Sequence, residues 1–303
     1  MSKIIIGIHG MGNKPAKKTL MAWWKAPIRE GFKRISAPKR AFRFELVYWA
    51  HYLHPVALQA KIKDKKHPLY IDEPYFHGDK NATEEEPSAL RQKILSYLGS
   101  QLQKLFLNED FTINYESVTD FITHHFFSDL EKYYTDYCVE NHKTDCRAKV
   151  LICTALADLL KKHRRKKILL IAHSMGSIIA FDVLTQYVPE IPIDTFVTIG
   201  SPLGLPVVKS KIAAEREKDF SQPGDIRTPE NVWSNWYNLS DLRDKIAINY
   251  NLSDDFQKNA RGVGPVDRIV SNNYEFMGEK NPHKVYGYLR TSQMAEILSG
   301  FLG

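Results

Sequence analysis

The sequence predicts an α/β protein, a mostly parallel sheet with helices on both faces and a mainly helical insertion. Three observations predict it. Short β-branched runs alternate with helical patterns along the chain, as crossovers between parallel strands require. Two of these runs are apolar almost without a break, as expected of strands covered on both faces. One stretch, from about His51 to Asp145, breaks the alternation and is too long for a simple connection in a compact α/β fold.

The strand candidates, in order, are Ile4 to His9, Phe44 to Trp49, Ile168 to His173, Thr195 to Ile199, Trp233 to Asn238 and Val266 to Val270. Four helical patterns lie around them. Lys17 to Ile35 places Leu20, Trp23, Trp24, Ile28, Phe32 and Ile35 at helical spacing, and Pro27 predicts a kink. Cys146 to Lys162 carries Val150, Leu151, Ala155, Leu159 and Leu160. Ser177 to Tyr187 follows the third strand directly, and Ser292 to Leu302 closes the chain. Residues 1–50 and 146–303 are thus read as the core, and 51–145 as an inserted cap with helical runs at Leu90 to Leu107 and Val118 to Tyr137.

Composition excludes several classes. The 303 residues are 43% hydrophobic and 25% charged, values of a packed chain and not of a disordered one. No apolar run approaches the ~20 residues that span a bilayer. The N-terminal run Ile4 to Ile8 is too short for a signal peptide, so none is expected. Cys138, Cys146 and Cys153 are too few for a disulfide framework, and free thiols in a cytoplasmic compartment are expected. No metal site is expected either, since the cysteines lack paired ligands.

The net charge is +7, which allows weak association with anionic membrane surfaces. The densest basic run, Lys161 to Lys167, falls at a helix C-terminus, where cations complement the dipole. It lacks the interleaved aromatics of a single-strand binder, and no nucleic acid is expected.

The most informative stretch runs from Lys167 to Phe181. A buried strand leads straight into Ser174 and then into a helix. Such a sharp strand-to-helix turn strains the serine backbone and tolerates only small residues two positions to either side. Ala172 and Gly176 stand there, forming a small-x-Ser-x-Gly nucleophile elbow. The helix N-terminus aims partial positive charge at Ser174, and the Met175 N–H can stabilise an oxyanion. A serine that merely caps the helix is the competing reading.

The second motif, His9-Gly10-Met11-Gly12, ends the first strand. Its glycines let the backbone approach a ligand, and the Met11 N–H can be a second oxyanion donor. The pattern lacks the Lys-Ser/Thr or the glycine spacing of a phosphate loop. His9 reads as a structural hydrogen-bonding residue.

Together, His9-Gly10-Met11-Gly12 and Ala172-His173-Ser174-Met175-Gly176 resemble the α/β-hydrolase superfamily, especially its lipase and esterase branches. The resemblance covers most of the chain outside 51–145 and lacks the superfamily's first two strands. It implies a triad in the order serine, acid, histidine. His283 is the one histidine after Ser174, so that order selects it. For the acid, Asp244-Lys245-Ile246-Ala247 looks like the Asp-x-Val-Pro pattern of relatives, while Asp241 and Asp267 stay open.

The resemblance implies a serine hydrolase of carboxylic, lipid-like acyl esters that needs no cofactor. Thioester cleavage, acyl transfer and a non-catalytic binding scaffold are the rivals. Within the insertion, Phe121, Phe126, Phe127, Tyr133, Tyr134 and Tyr137 line one helical run, either as core packing or as an acyl-chain pocket. The oligomeric state is not legible.

Overall fold

The computed structural model describes residues 1–38, 41–78, 121–135, 137–139, 145–215, 226–247 and 249–303. All six strand candidates form one sheet. These are β1 (Lys3–Ile8), β2 (Phe44–Val47), β3 (Lys167–His173), β4 (Ile193–Ile199), β5 (Val232–Ser240) and β6 (Pro265–Ile269). Their spatial order is β2-β1-β3-β4-β5-β6, and every neighbouring pair is parallel. The strand C-termini therefore share one edge, where sites collect in such sheets.

Alternation along the central strands builds two cores. Ile4, Ile6, Ile8, Ile168, Leu170 and Ala172 face one layer, and Ile5, Leu169 and Ile171 face the other. Helices α1 (Lys17–Arg34), α7 (Val285–Leu289) and α8 (Ser292–Leu302) cover the second layer with Trp24, Ile28, Tyr288, Leu289 and Leu298. Helices α4 (Ala148–Lys162), α5 (Met175–Asp182) and α6 (Pro206–Ala214) cover the first with Leu156, Leu160, Ile178, Phe181 and Val208. Trp49, Trp24 and Trp236 are wholly buried, each a large apolar contribution to its layer.

Helix α1 continues through Pro27, and α8 matches its expected limits, with Thr291 Oγ1 accepting from the Met294 N–H as an N-cap. After α5 the chain tightens into a single π-type turn, Val183–Tyr187.

Within 51–145, a short α2 (Ala50–Leu53) and α3 (Phe121–Tyr134) are described. Leu130 and Tyr133 of α3 pack into the first core layer. The expected helix at Leu90 to Leu107 lies outside the described residues, as do the side chains of Phe121, Ile122, Phe126 and Phe127. No helix among the described residues is long and apolar enough to cross a membrane.

The cysteine expectation is corrected. Cys138 and Cys146 form a disulfide, and the buried Cys153 is free. Cys146 is not helical, as the pattern had suggested. Val139 N–H donates to Cys146 O at 2.6 Å and Ala148 N–H to Tyr137 O at 2.9 Å, so this backbone is committed to an extended pairing. The helix begins only at Ala148. The thiol count therefore no longer argues for a reducing compartment.

Candidate active site

Ser174 sits between the last residue of β3 and the first of α5, with φ 54° and ψ −131°. For a residue with a Cβ this conformation costs on the order of 1–3 kcal/mol, held by the surrounding structure. That structure is specific. Ser174 N–H donates to Ile199 O at 3.0 Å, and Ser177 donates to Ser174 O from both its N–H (2.8 Å) and its hydroxyl (2.6 Å). The elbow expected from small residues flanking the serine is therefore present as backbone geometry.

The loop after α6 and the loop before α7 bring the remaining groups to the same edge. His283 Nε2 lies 2.9 Å from Ser174 Oγ, and His283 Nδ1 lies 2.8 Å from Asp244 Oδ2. The partners define the ring's tautomer. A carboxylate only accepts, so Nδ1 carries the proton and Nε2 is left to accept from the serine hydroxyl. All three residues are buried.

Asp244 is supplied with further donors. Its Oδ1 accepts from Ile246 N–H (2.9 Å) and Ala247 N–H (3.3 Å), and its Oδ2 accepts from the Tyr288 hydroxyl (2.7 Å). Burial and the Asp244 charge push the Tyr288 phenol well above its usual range, so it remains a donor. The other two carboxylates left open by the sequence face elsewhere. Asp241 makes a two-pronged pair with Arg243 and accepts from Asn272 N–H, which fastens the loop. Asp267 accepts from Asn238, Leu252 N–H and Ser253 N–H.

Gly200, just after β4, is where the chain passes this cluster. Its φ is +53°, and a methyl group there would sit 2.9 Å from Asp244 Oδ2 and 3.2 Å from His283 Nδ1. Gly10 plays the same part beside the serine, where a Cβ would lie 2.7 Å from Ser174 Cβ. The Met11 loop is thus carried against the nucleophile position from one side and Met175 from the other.

His9 is structural, as its sequence context suggested. The Trp49 N–H donates to His9 Nε2 at 3.1 Å, so Nδ1 is the protonated atom and donates to Gly10 O at 2.8 Å. Its ring stacks on Trp49 at 4.8 Å. Burial, with the nearby Lys14 charge, holds His9 well below its ordinary range and keeps it neutral.

Sequence reasoning missed Tyr288, His173 and Trp49 as supports of this edge. No spacing rule singles out Tyr288, which reaches Asp244 only once α7 packs. His173 stood inside the serine motif but carried no signal of its own. Among the described residues no group of His, Cys, Asp and Glu is arranged to hold a metal ion.

The fold is that of the α/β-hydrolase superfamily, on its lipase-like side. Residues 153–258 match the model of the lecithin:cholesterol acyltransferase family, roughly a third of the chain, from α4 through the Asp244 loop. No curated protein matches the chain. The matched stretch includes Ser174 and Asp244, and it connects the chain to acyl-ester chemistry of a general kind.

Proposed function

We propose that the protein is a serine hydrolase of lipid-like carboxylic esters, working through an acyl-enzyme on Ser174. The observation that carries this reading is the hydrogen-bonded relay from Asp244 through His283 to Ser174 on a strained elbow. His283 Nε2 takes the hydroxyl proton as Ser174 Oγ attacks the acyl carbonyl, and Asp244 stabilises the imidazolium that forms. The Met11 and Met175 N–H groups receive the developing oxyanion, each donor contributing about 3 kcal/mol in comparable sites. His283 then returns the proton to the leaving alkoxide, and water, activated by the same ring, releases the acid.

The match to an acyltransferase family favours one second reading, in which an alcohol in place of water accepts the acyl group. A binding scaffold with no chemistry fits less well, because every proton-transfer contact is in place. Thioester cleavage would use the same groups.

Labelling with a fluorophosphonate probe and hydrolysis of p-nitrophenyl esters test the reading. Ser174→Ala should abolish both while leaving the melting temperature nearly unchanged or slightly raised, since the strained position loses nothing it bonds through its side chain except His283. Undiminished turnover in that variant overturns the serine mechanism. Adding a long-chain alcohol separates hydrolysis from transfer by the product formed.

A further inference from the structure

The loop Gly10 to Lys14 is held by groups that the proposed reaction does not itself use. Gly12 N–H donates to Asp129 Oδ2 at 2.7 Å, across a sequence separation of 117 residues. The oxygen of the same peptide unit, Met11 O, accepts from the Lys14 ammonium, which also donates to Gly12 O at 3.0 Å. A trans peptide is planar, with its N–H and C=O pointing opposite ways. The Met11–Gly12 peptide is therefore gripped at both ends, by an anion at its N–H and by a cation at its oxygen.

The preceding unit, Gly10–Met11, is gripped at one end. His9 Nδ1 holds Gly10 O, which turns the Met11 N–H to the opposite side. That orientation persists only if the next unit cannot rotate, since ψ of Met11 and φ of Gly12 set the loop's course. Asp129 and Lys14 fix those two angles.

Asp129 is itself well placed for the task. It lies on α3, next to Leu130, which packs into the core layer over the sheet, and its side chain is 5% exposed. Burial works against its charge, but His54, the Gly12 N–H and Lys14 outweigh burial and hold its carboxyl below the usual range. A charge-assisted bond of this kind is short and roughly twice as strong as a neutral one.

We propose that Asp129, from the stretch read in the sequence as an insertion, is a positioning residue for the oxyanion-binding loop, clamping the Met11–Gly12 peptide jointly with Lys14. The inference rests on the serine-hydrolase reading for its catalytic consequence. It does not rest on that reading for its structural one. Asp129 touches neither the acyl group nor the reacting atoms, and it acts by keeping the Met11 N–H aimed at the oxyanion.

Two measurements on the full-length chain test it. Amide hydrogen exchange of residues 10–13 reads the clamp whether or not the protein hydrolyses esters. Asp129→Ala should raise exchange in this segment at least tenfold, and Asp129→Asn, which keeps an acceptor for Gly12 N–H, should raise it much less. Lys14→Met should loosen the same segment from the other side, which keeps the test open if Asp129→Ala does not fold. Unchanged exchange at residues 10–13 in the folded variants overturns the clamp.

The second measurement is kinetic, with p-nitrophenyl butyrate as the probe. Asp129→Ala should lower kcat ten- to a hundredfold with KM within about twofold, and a boronic acid that forms a tetrahedral adduct should weaken in parallel, because an aimed donor acts on the tetrahedral state and not on the ground state. Asp129→Asn should recover most of kcat. A rise in KM with unchanged kcat, or no rescue by Asn, overturns the positioning role. If wild-type protein neither hydrolyses the ester nor labels with a fluorophosphonate, the function reading fails while the exchange result still decides the clamp.

Discussion

His173 Nε2 lies 2.8 Å from the main-chain oxygen of His283, joining the residue before the serine to the residue whose ring faces it. Their rings are 4.9 Å apart. A carbonyl only accepts, so His173 donates, and burial together with the nearby His283 keeps His173 well below its ordinary range and neutral. One side chain thus ties the His283 loop to the end of β3.

His173→Phe removes that donor and leaves a buried carbonyl unpaired, a loss of about 1–3 kcal/mol. The loop carrying His283 should also loosen. Denaturant unfolding and ester hydrolysis should both register the change, with kcat falling more than KM rises. A variant with wild-type kcat would show that the loop needs no such tie.

Asp244→Asn and Asp241→Asn should behave differently, because only the first faces His283. Neutralising the residue that orients the imidazole should lower kcat by as much as ~10⁴, the loss seen when a triad acid becomes an amide. Asp241→Asn weakens the pair with Arg243 and should appear mainly as a lower melting temperature. Kinetics of the two variants side by side decide the matter, and a reversed order would assign the acid to Asp241.

Gly200→Ala should be disabling although it adds one methyl group. The Cβ would crowd both Asp244 and His283, and the positive φ adds about 1–2 kcal/mol of backbone strain. Fluorophosphonate labelling should slow at least tenfold in protein that still unfolds cooperatively. Unchanged labelling would mean that the loop shifts freely, contrary to the packing.

Stability should fall as the solution is acidified below pH 6.5. Burial holds His9 and His173 well below their model value of 6.5, so the unfolded chain binds protons there that the folded chain refuses. Their contribution is complete above 6.5 and diminishes beneath it, by about 1.4 kcal/mol for each ring at about pH 5.5. Urea unfolding at pH 7.5 and pH 5.5 measures this directly. A flat profile would show that the folded protein takes up those protons.

The sequence by itself determined the parts that depend on near neighbours. Apolar runs and their alternation located all six sheet strands to within two or three residues, because strand burial is written in consecutive side chains. Ser174 was legible for the same reason, since its turn needs small residues at fixed offsets. His283 was legible by elimination once the resemblance supplied an order.

What only the tertiary structure decided depends on how distant segments close on one another. Asp244 and Asp241 are three residues apart on one loop, and no local pattern says which carboxylate turns toward His283. The turn made by Asp241 with Arg243 and Asn272 decides it. The Cys138–Cys146 pairing hid behind a helical spacing that the extended backbone of residues 146–147 overrides. Tyr288 and Asp129 reach their partners across 44 and 117 residues, and contacts of that kind exist only after the chain has packed.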